Sequence, residues 1–571
     1  MVSIFVLALL AAFIFLKADE ISSRPDKNTY LIVSVAILII ITLYEVLFMH
    51  PTGAEESFTL NVVFLVSIAT LISLGGIYLT AEVFKRPSKK GNLLILIVII
   101  CLLLTSSLSF LSMYGFNPTN WSGVDEVAYN YYAAYLFDHG SNPYVSSMEP
   151  ILNQRHIFPT LQLDGNYEYA YEYPAFSFLV FFFMPLLNIT SFYTFIVLVT
   201  VFSVFISYFL YYKSGFNASL LLPLGVWLFF SFILVGTTTH YLAIAVFVLL
   251  AYLERKNALL SGVLLGLAAS TIQLAWFFIP FFYVLELREF GKKPFYNQVV
   301  SSILIFVLVN AYFVALSPHQ TISNIFGLLG LNKLPPYGTN FMQFSYAFYP
   351  LSYWYSTFMS ITVFMTLLIL FYFYTKTLLP FIAVVPAMIF FLSWRNISIY
   401  DLPAIPLIFA VYYCSSNSKD LIEKKSYIVY AFAALVLIGV VVAIYSHAAY
   451  VENQGIRINS IIPILYISNA TGGNMYRLGG FVANVSNNEP VAENVSFYMT
   501  SRSPNNEAYT PGSMLPVLAP GSSRNYTINF QLGLVNNSTR LFVMVFTRDY
   551  ITSTTLNITI RAPPKATQPL K

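Results

Sequence analysis

The chain has 571 residues, 57% hydrophobic and only 9% charged, with a formal net charge of +4. A soluble globular chain carries about 25% charged residues, so a deficit spread over this length excludes an ordinary soluble enzyme, a disordered chain and a nucleic-acid binder. Long apolar blocks rather than weak alternation carry the hydrophobicity, so the expected fold class is a polytopic α-helical membrane protein and not a β-barrel.

Residues 1–16 form an apolar stretch without a basic n-region or a small-residue cleavage site. They read as a first membrane segment rather than a cleaved signal. Further candidate spans follow at 30–49, 60–83, 93–114, 191–212, 219–236, 239–253, 258–270, 273–287, 296–316, 346–373, 378–393, 399–414 and 427–447. The two cysteines, Cys101 and Cys414, fall inside such blocks and read as packing residues. Abundant Tyr (42 residues) suits a chain with much membrane interface.

Lys and Arg in short loops orient the bundle. They cluster at Lys17, Arg24 and Lys27, at Lys85, Arg86, Lys89 and Lys90, at Lys213, and at Arg255 and Lys256. Later clusters are Arg288, Lys292 and Lys293, then Lys376, then Lys419, Lys424 and Lys425. One assignment puts all of them inside, provided that residues 174–187 lie on the outer surface as a re-entrant or interfacial helix. The N-terminus and everything after the last span are then outside. The outer loop 51–59 has no Lys or Arg, and Arg155 is the only one in the long loop 115–173. Long loops on one face are where a site for a polar substrate is built.

Within loop 115–173, Asp125 and Glu126 open an aromatic run in which Val127, Tyr131 and Tyr135 recur at helical spacing. Asp138-His139-Gly140 ends it. The pattern predicts a helix lying in the outer interface with an acidic N-terminus. Asp125 can be its cap, worth roughly 1 kcal/mol, with Glu126 favouring the positive helix end. Alternatively, one of the two carboxylates is a general base held at the membrane surface. Asn142-Pro-Tyr144 follows, then Tyr171-Glu-Tyr-Pro174, which opens the non-crossing apolar stretch.

Three later segments carry polar residues at span ends. Gly236-Thr-Thr-Thr-His-Tyr241 begins one short span. Ser261 to Gln273 spells Ser-Gly-Val-Leu-Leu-Gly-Leu-Ala-Ala-Ser-Thr-Ile-Gln and leads to Phe278-Ile-Pro280. The outer loop 317–345 contains Gly330-Leu-Asn-Lys-Leu-Pro-Pro-Tyr337, a candidate lid or an ordinary surface loop, and Trp394-Arg395-Asn-Ile-Ser-Ile-Tyr400 forms a late outer turn.

Composition shifts near Tyr450. The rest reads as short strands between turns, among them Gly480 to Val485, Asn494 to Met499, Asn525 to Phe530, Arg540 to Phe546 and Leu556 to Ile560. A β-sandwich of about 100 residues is the natural packing for them, and the segment resembles immunoglobulin-like spacer domains of prokaryotic surfaces. Asn469, Asn484, Asn494, Asn525, Asn536, Asn537 and Asn557 each begin an N-x-S/T triplet. The clustering suits an outside location, and equally a solvated domain rich in Asn, Ser and Thr.

Acid pair, aromatic helix, N-P-Y turn and Y-x-Y-P surface helix, in that order, resemble the GT-C superfamily of membrane glycosyltransferases. The likeness is closest to the lipid-linked mannosyltransferases of the family 87 type. The Gly236–Tyr241, Ser261–Gln273 and Trp394–Tyr400 segments look like further motifs of that family, and the resemblance covers roughly residues 93–415. It divides the chain into additional N-terminal spans (1–92), a catalytic membrane domain (93–449, about eleven crossings) and an extracytoplasmic β domain (450–571).

The resemblance implies an inverting transfer of a hexose, mannose first, from a polyprenyl-phosphate donor to a glycan or lipid-linked acceptor. Asp125 is the expected base, with Glu126 second. In place of the family's usual Lys stands Ile272, and His240 replaces a small polar residue, so another cation must serve the donor phosphate. Arg395 is first for this role, then Lys333 and Arg155, with His139, His156, His240 and His319 weaker; Arg395 can equally be a snorkelling anchor. Tyr129, His240, Gln273 and Tyr400 are expected substrate contacts, although Gln273 can instead satisfy a neighbouring backbone group. No metal is expected to be required; Asp164, Glu168 and Glu172 offer hard oxygen ligands that would suit Mg or Mn. The expected partners are the donor, the acceptor and the lipid bilayer, with no nucleic acid. A lipid-linked-glycan transporter and a membrane anchor for the β domain are the rival readings.

Overall fold

The computed structural model describes residues 125–155, 157–187 in part, 238–327, 337–338, 354–379, 403–414, 425–452, 455–467, 476–501, 507–510, 515–529, 534–535, 540–547 and 551–557, with isolated positions between them. The candidate spans 1–16, 30–49, 60–83, 93–114 and 219–236, and nearly all of 191–212, lie outside these residues. The chain is mostly helical, with antiparallel strands gathered after residue 455.

The helices are α1 (Asp125–Asp138), α2 (Glu149–Arg155), α3 (Phe176–Leu179), α4 (Phe183–Leu186), α5 (Thr238–Leu253), α6 (Ala258–Thr271), α7 (Ile279–Glu289), α8 (Lys292–Leu316), α9 (Pro318–Gly327), α10 (Trp354–Phe373), α11 (Ile405–Cys414) and α12 (Lys425–Glu452). Three helices are long and apolar enough to cross a membrane: α8, α10 and the Ala433–Val451 part of α12. Their outward sides carry exposed apolar groups, such as Val300, Leu304 and Leu308 on α8 and Val436, Val440 and Ile444 on α12. The 174–187 stretch forms two short helices, α3 and α4.

Helix α6 packs against α8 at backbone distance because its contact face is small. A Cβ on Gly262 would lie 2.4 Å from the Gln298 carbonyl oxygen, and one on Gly266 would lie 2.6 Å from that of Ser302. This is the close approach that a small-xxx-small stripe permits. Polar bonds line the seam: Gln298 Nε2 donates to Ser261 Oγ at 2.9 Å, and Ser261 Oγ donates to the Ala251 carbonyl at 3.0 Å. Phe281 of α7 meets Phe364 and Phe371 of α10 edge-on. Ser352 N–H, just before α10, donates to Ser446 of α12 at 2.9 Å.

The bundle has two distinct ends. At one, Arg255 pairs with Glu289 at 3.2 Å, joining the α5–α6 and α7–α8 connections. At the other lie the N-termini of α1 and α5, Gln273 after α6, and Ser317 after α8, joined by the bonds given below.

Strands β1 (Tyr337–Gly338) and β2 (Arg395–Asn396) form a parallel pair. The remaining strands are β3 (Ile456–Ile467), β4 (Tyr476–Asn487), β5 (Ser496–Ser501), β6 (Glu507–Thr510), β7 (Ser523–Asn529), β8 (Leu534–Val535), β9 (Arg540–Phe546) and β10 (Ile551–Asn557). One antiparallel sheet runs β10-β9-β5-β6, and the other runs β3-β4-β7 with β8 also on β4. Phe481, Val485, Tyr526 and Ile528 from one sheet and Phe497, Met499, Val543 and Val545 from the other share a single core. The opposite face of β5 and β9 is buried as well: Tyr498, Met544 and Phe546 join the apolar cluster that fills the helical part. Burial on both faces explains why Val543-Met-Val-Phe546 lacks polar alternation. On β7 the outer face is open, and Asn525, Thr527 and Asn529 are exposed between buried Tyr526 and Ile528.

Candidate active site

Helix α1 begins at the acidic pair and ends as its Gly140 allows, with φ of 76°. The expectation of one apolar face in an interface is too modest, because eight of its residues are buried, Glu126 to Tyr131 without a break. The protein encloses the N-terminal half of α1 on all sides.

That enclosure separates the two carboxylates. Asp125 is exposed, and its Oδ1 accepts the Glu126 N–H at 2.8 Å, which ties the side chain to the first turn. Glu126 points inward and is 4% exposed. Its Oε1 accepts the Thr239 N–H at 3.0 Å and the Thr239 hydroxyl, and its Oε2 lies 3.0 Å from His240 Nδ1. His240 is equally buried. A buried carboxylate needs a charge partner and hydrogen bonds to remain ionised, and Thr239-His240 supplies both. Directly after His240, residues Tyr241–Val248 take the wider π-helical winding, which is rare and concentrated at functional sites.

Tyr129 stands one turn beyond Asp125 and donates to the Glu168 carbonyl at 3.0 Å. Burial, and after it the charges of Asp125, Glu168 and Glu172, push its hydroxyl well above the usual phenol range. It is therefore a fixed proton donor. Among the described residues no group of three or more His, Cys, Asp or Glu side chains is arranged to hold a metal ion.

Gln273 joins three segments. Its Nε2 donates to the Glu172 carbonyl at 2.6 Å and to the Ile325 carbonyl at 2.9 Å. Satisfying backbone was one of the two roles expected of it. Its buried Oε1 accepts no hydrogen bond among the described residues.

The motif turns are locked to the same end. Asn142 caps its turn by accepting the Tyr144 N–H at 3.1 Å and donates to Ser317 Oγ at 3.1 Å. Asn324 donates to the Tyr144 carbonyl at 3.1 Å, and Tyr144 donates to the Tyr173 carbonyl at 2.8 Å. Tyr171 bonds Asn130 Oδ1 and Ser177 Oγ, each at 2.6 Å. The Ala175 N–H donates to Asn310 Oδ1 of α8 at 2.9 Å. Seven bonds thus join the N-P-Y and Y-x-Y-P motifs to α1, α8 and α9.

Of the expected cations, Arg155 ends α2 near Tyr131, whose hydroxyl its charge draws down against the larger upward push of burial. Arg395 lies in β2, its backbone paired with Tyr337. Lys333, Tyr400, Asp164 and His156 lie outside the described residues. The structure brings Asp125, Glu126, Tyr129, His240 and Gln273 to one end of the helical part. Sequence reasoning missed Thr239 and Asn310. Thr239 sits in a Thr-Thr-Thr-His run beside a residue already singled out, while Asn310, inside an apolar helix, was a usable signal.

Comparison with family models, with curated proteins and with solved structures gives no match to this chain.

Proposed function

We propose that the protein is a polytopic membrane glycosyltransferase of the GT-C kind, moving a hexose from a polyprenyl-phosphate donor to an acceptor hydroxyl on the outer side. The observation that carries the reading is the division of labour in the acidic pair. Glu126 is buried and committed to Thr239 and His240, while its neighbour Asp125 is exposed at the same helix start. A carboxylate held by its own helix turn, open to solvent and beside an aromatic wall, suits a general base.

In the reaction, the acceptor hydroxyl oxygen forms a bond to the anomeric carbon as the bond from that carbon to the phosphate oxygen breaks. The hydroxyl proton passes to Asp125, and polyprenyl phosphate leaves with the bonding pair. Attack from the face opposite the phosphate inverts the anomeric centre. The developing negative charge on the leaving phosphate needs a cation. Arg395 is our first choice, supported by the pairing of its strand with the chain just after Lys333. Arg155 is a further choice. Tyr129, His240, Gln273 and Tyr400 line or support the sugar site. No metal step is invoked.

The exposed apolar sides of α8, α10 and α12 suit contact with lipid tails, so the donor's prenyl chain has a bilayer beside the site. The two packed sheets then form an immunoglobulin-like domain on the outer side, next to the catalytic end. Purified protein in lipid, offered a panel of polyprenyl-phosphate hexoses, should yield a glycosylated acceptor and free polyprenyl phosphate by mass spectrometry. Movement of donor across vesicles with no product from any sugar would instead favour a lipid-glycan transporter.

A further inference from the structure

The open face of the β3-β4-β7 sheet carries a row of asparagine side chains. Asn459 Nδ2 donates to Asn484 Oδ1 at 2.6 Å, and Asn484 Nδ2 donates to Asn525 Oδ1 at 2.6 Å. Asn484 and Asn525 stand directly opposite each other across the β4–β7 pair. Both begin acceptor triplets, Asn484-Val-Ser486 and Asn525-Tyr-Thr527. Directly opposed residues have Cβ atoms only about 5 Å apart, so two glycans cannot be accommodated side by side here.

The ladder distinguishes the two. Asn484 is in the middle, on a central strand; its amide nitrogen is committed to Asn525 and its oxygen to Asn459. A sugar there would displace the ladder on one side and crowd it on the other. Asn525 ends the row on β7, an outer strand of its sheet among the described strands. It contributes only its oxygen to the ladder, and its amide nitrogen donates to no group among the described residues. Asn525 and Thr527 are both exposed on the same face, so the amide and the hydroxyl of the triplet are presented together. An outer strand can also detach locally without breaking the sheet. A third triplet, Asn494-Val-Ser496, contrasts with it: Asn494 is exposed but Ser496 is fully buried.

We propose that Asn525 is a site of N-linked glycosylation and that Asn484 is left bare as part of the ladder that frames it. A separate transferase would supply the saccharide from a polyprenyl phosphate or pyrophosphate carrier. The Asn525 Nδ2 forms a C–N bond to the anomeric carbon, the bond from that carbon to the carrier's phosphate oxygen breaks, and the amide proton passes to that transferase's base. The proposal rests on the outer placement of the C-terminal domain given above.

The test is glycopeptide mass spectrometry on full-length protein purified from membranes of the cells that naturally make it. The peptide with Asn525 should carry a glycan and the peptide with Asn484 should not. Thr527→Ala, an exposed change that keeps the ladder, should abolish the modification. In parallel, Val491→Cys at an exposed loop position should react with a membrane-impermeant maleimide on intact cells. Labelling with a bare Asn525, or with a glycan on Asn484, overturns the proposal while the outer placement stands. No labelling from outside removes the outer placement and the proposal with it.

Discussion

Replacing Glu126 by alanine leaves the Thr239 N–H and hydroxyl without their acceptor and His240 without its charge partner, all in a buried setting. Orphaning one buried donor costs about 1–3 kcal/mol, and removing one member of a buried ion pair costs about 3–5 kcal/mol. Because these overlap, Glu126→Ala should destabilise by about 3–5 kcal/mol. His240→Ala should cost less, about 2–3 kcal/mol, because both Thr239 donors still hold the carboxylate. The double variant should then fall short of the sum by about 2 kcal/mol, since no charge is left buried alone. The four proteins of the cycle can be unfolded in one detergent at one protein concentration and compared by midpoint. Additivity within about 0.5 kcal/mol would show that Glu126 and His240 do not act as a pair, and the positioning of Asp125 by a fixed neighbour would lose its basis.

Gly262→Ala should destabilise by about 1–3 kcal/mol from overpacking, read as a lower thermal midpoint. Adding Ser301→Ala should restore only part of it, because the Gln298 carbonyl still stands 2.4 Å from the new Cβ. Asn310→Ala removes the acceptor of the Ala175 N–H; it should cost about 1–3 kcal/mol and speed hydrogen exchange at Ala175. The hydroxyls of Tyr129, Tyr144 and Tyr171 are all raised by burial. Unfolded phenols titrate near about pH 10. Above that pH the unfolded chain loses protons that the native state keeps, so stability falls as pH rises. Each of Tyr129→Phe, Tyr144→Phe and Tyr171→Phe should reduce the steepness of alkaline loss by about 1.4 kcal/mol per pH unit, measured as unfolding midpoint against pH.

Elements with a strong local signature were legible in the sequence. Apolar length placed α8 and α12 within a few residues, and basic loop residues identified 174–187 as a stretch that does not cross, matching its two short helices. Period-two patterning located β4, β5, β7, β9 and β10. Chain direction at Gly140 followed from one residue. What stayed hidden depends on distant partners. Glu126 meets Thr239 and His240 across more than a hundred residues, and no local pattern marks one member of an acidic pair as buried. The parallel pairing of Tyr337-Gly338 with Arg395-Asn396 is equally non-local. The span expected over 273–287 begins instead with a tight 3-10 turn, Gln273–Phe277, and only then enters α7 with Pro280 in its first turn. The π winding after His240 had no signal in composition.

The central claim is that Asp125 takes the acceptor proton. Asp125→Asn keeps size and hydrogen-bonding shape but removes the base. With a polyprenyl-phosphate hexose that supports transfer by the unsubstituted protein, the account predicts retained donor binding and loss of product by at least about a hundredfold. Transfer at the unsubstituted rate would contradict it.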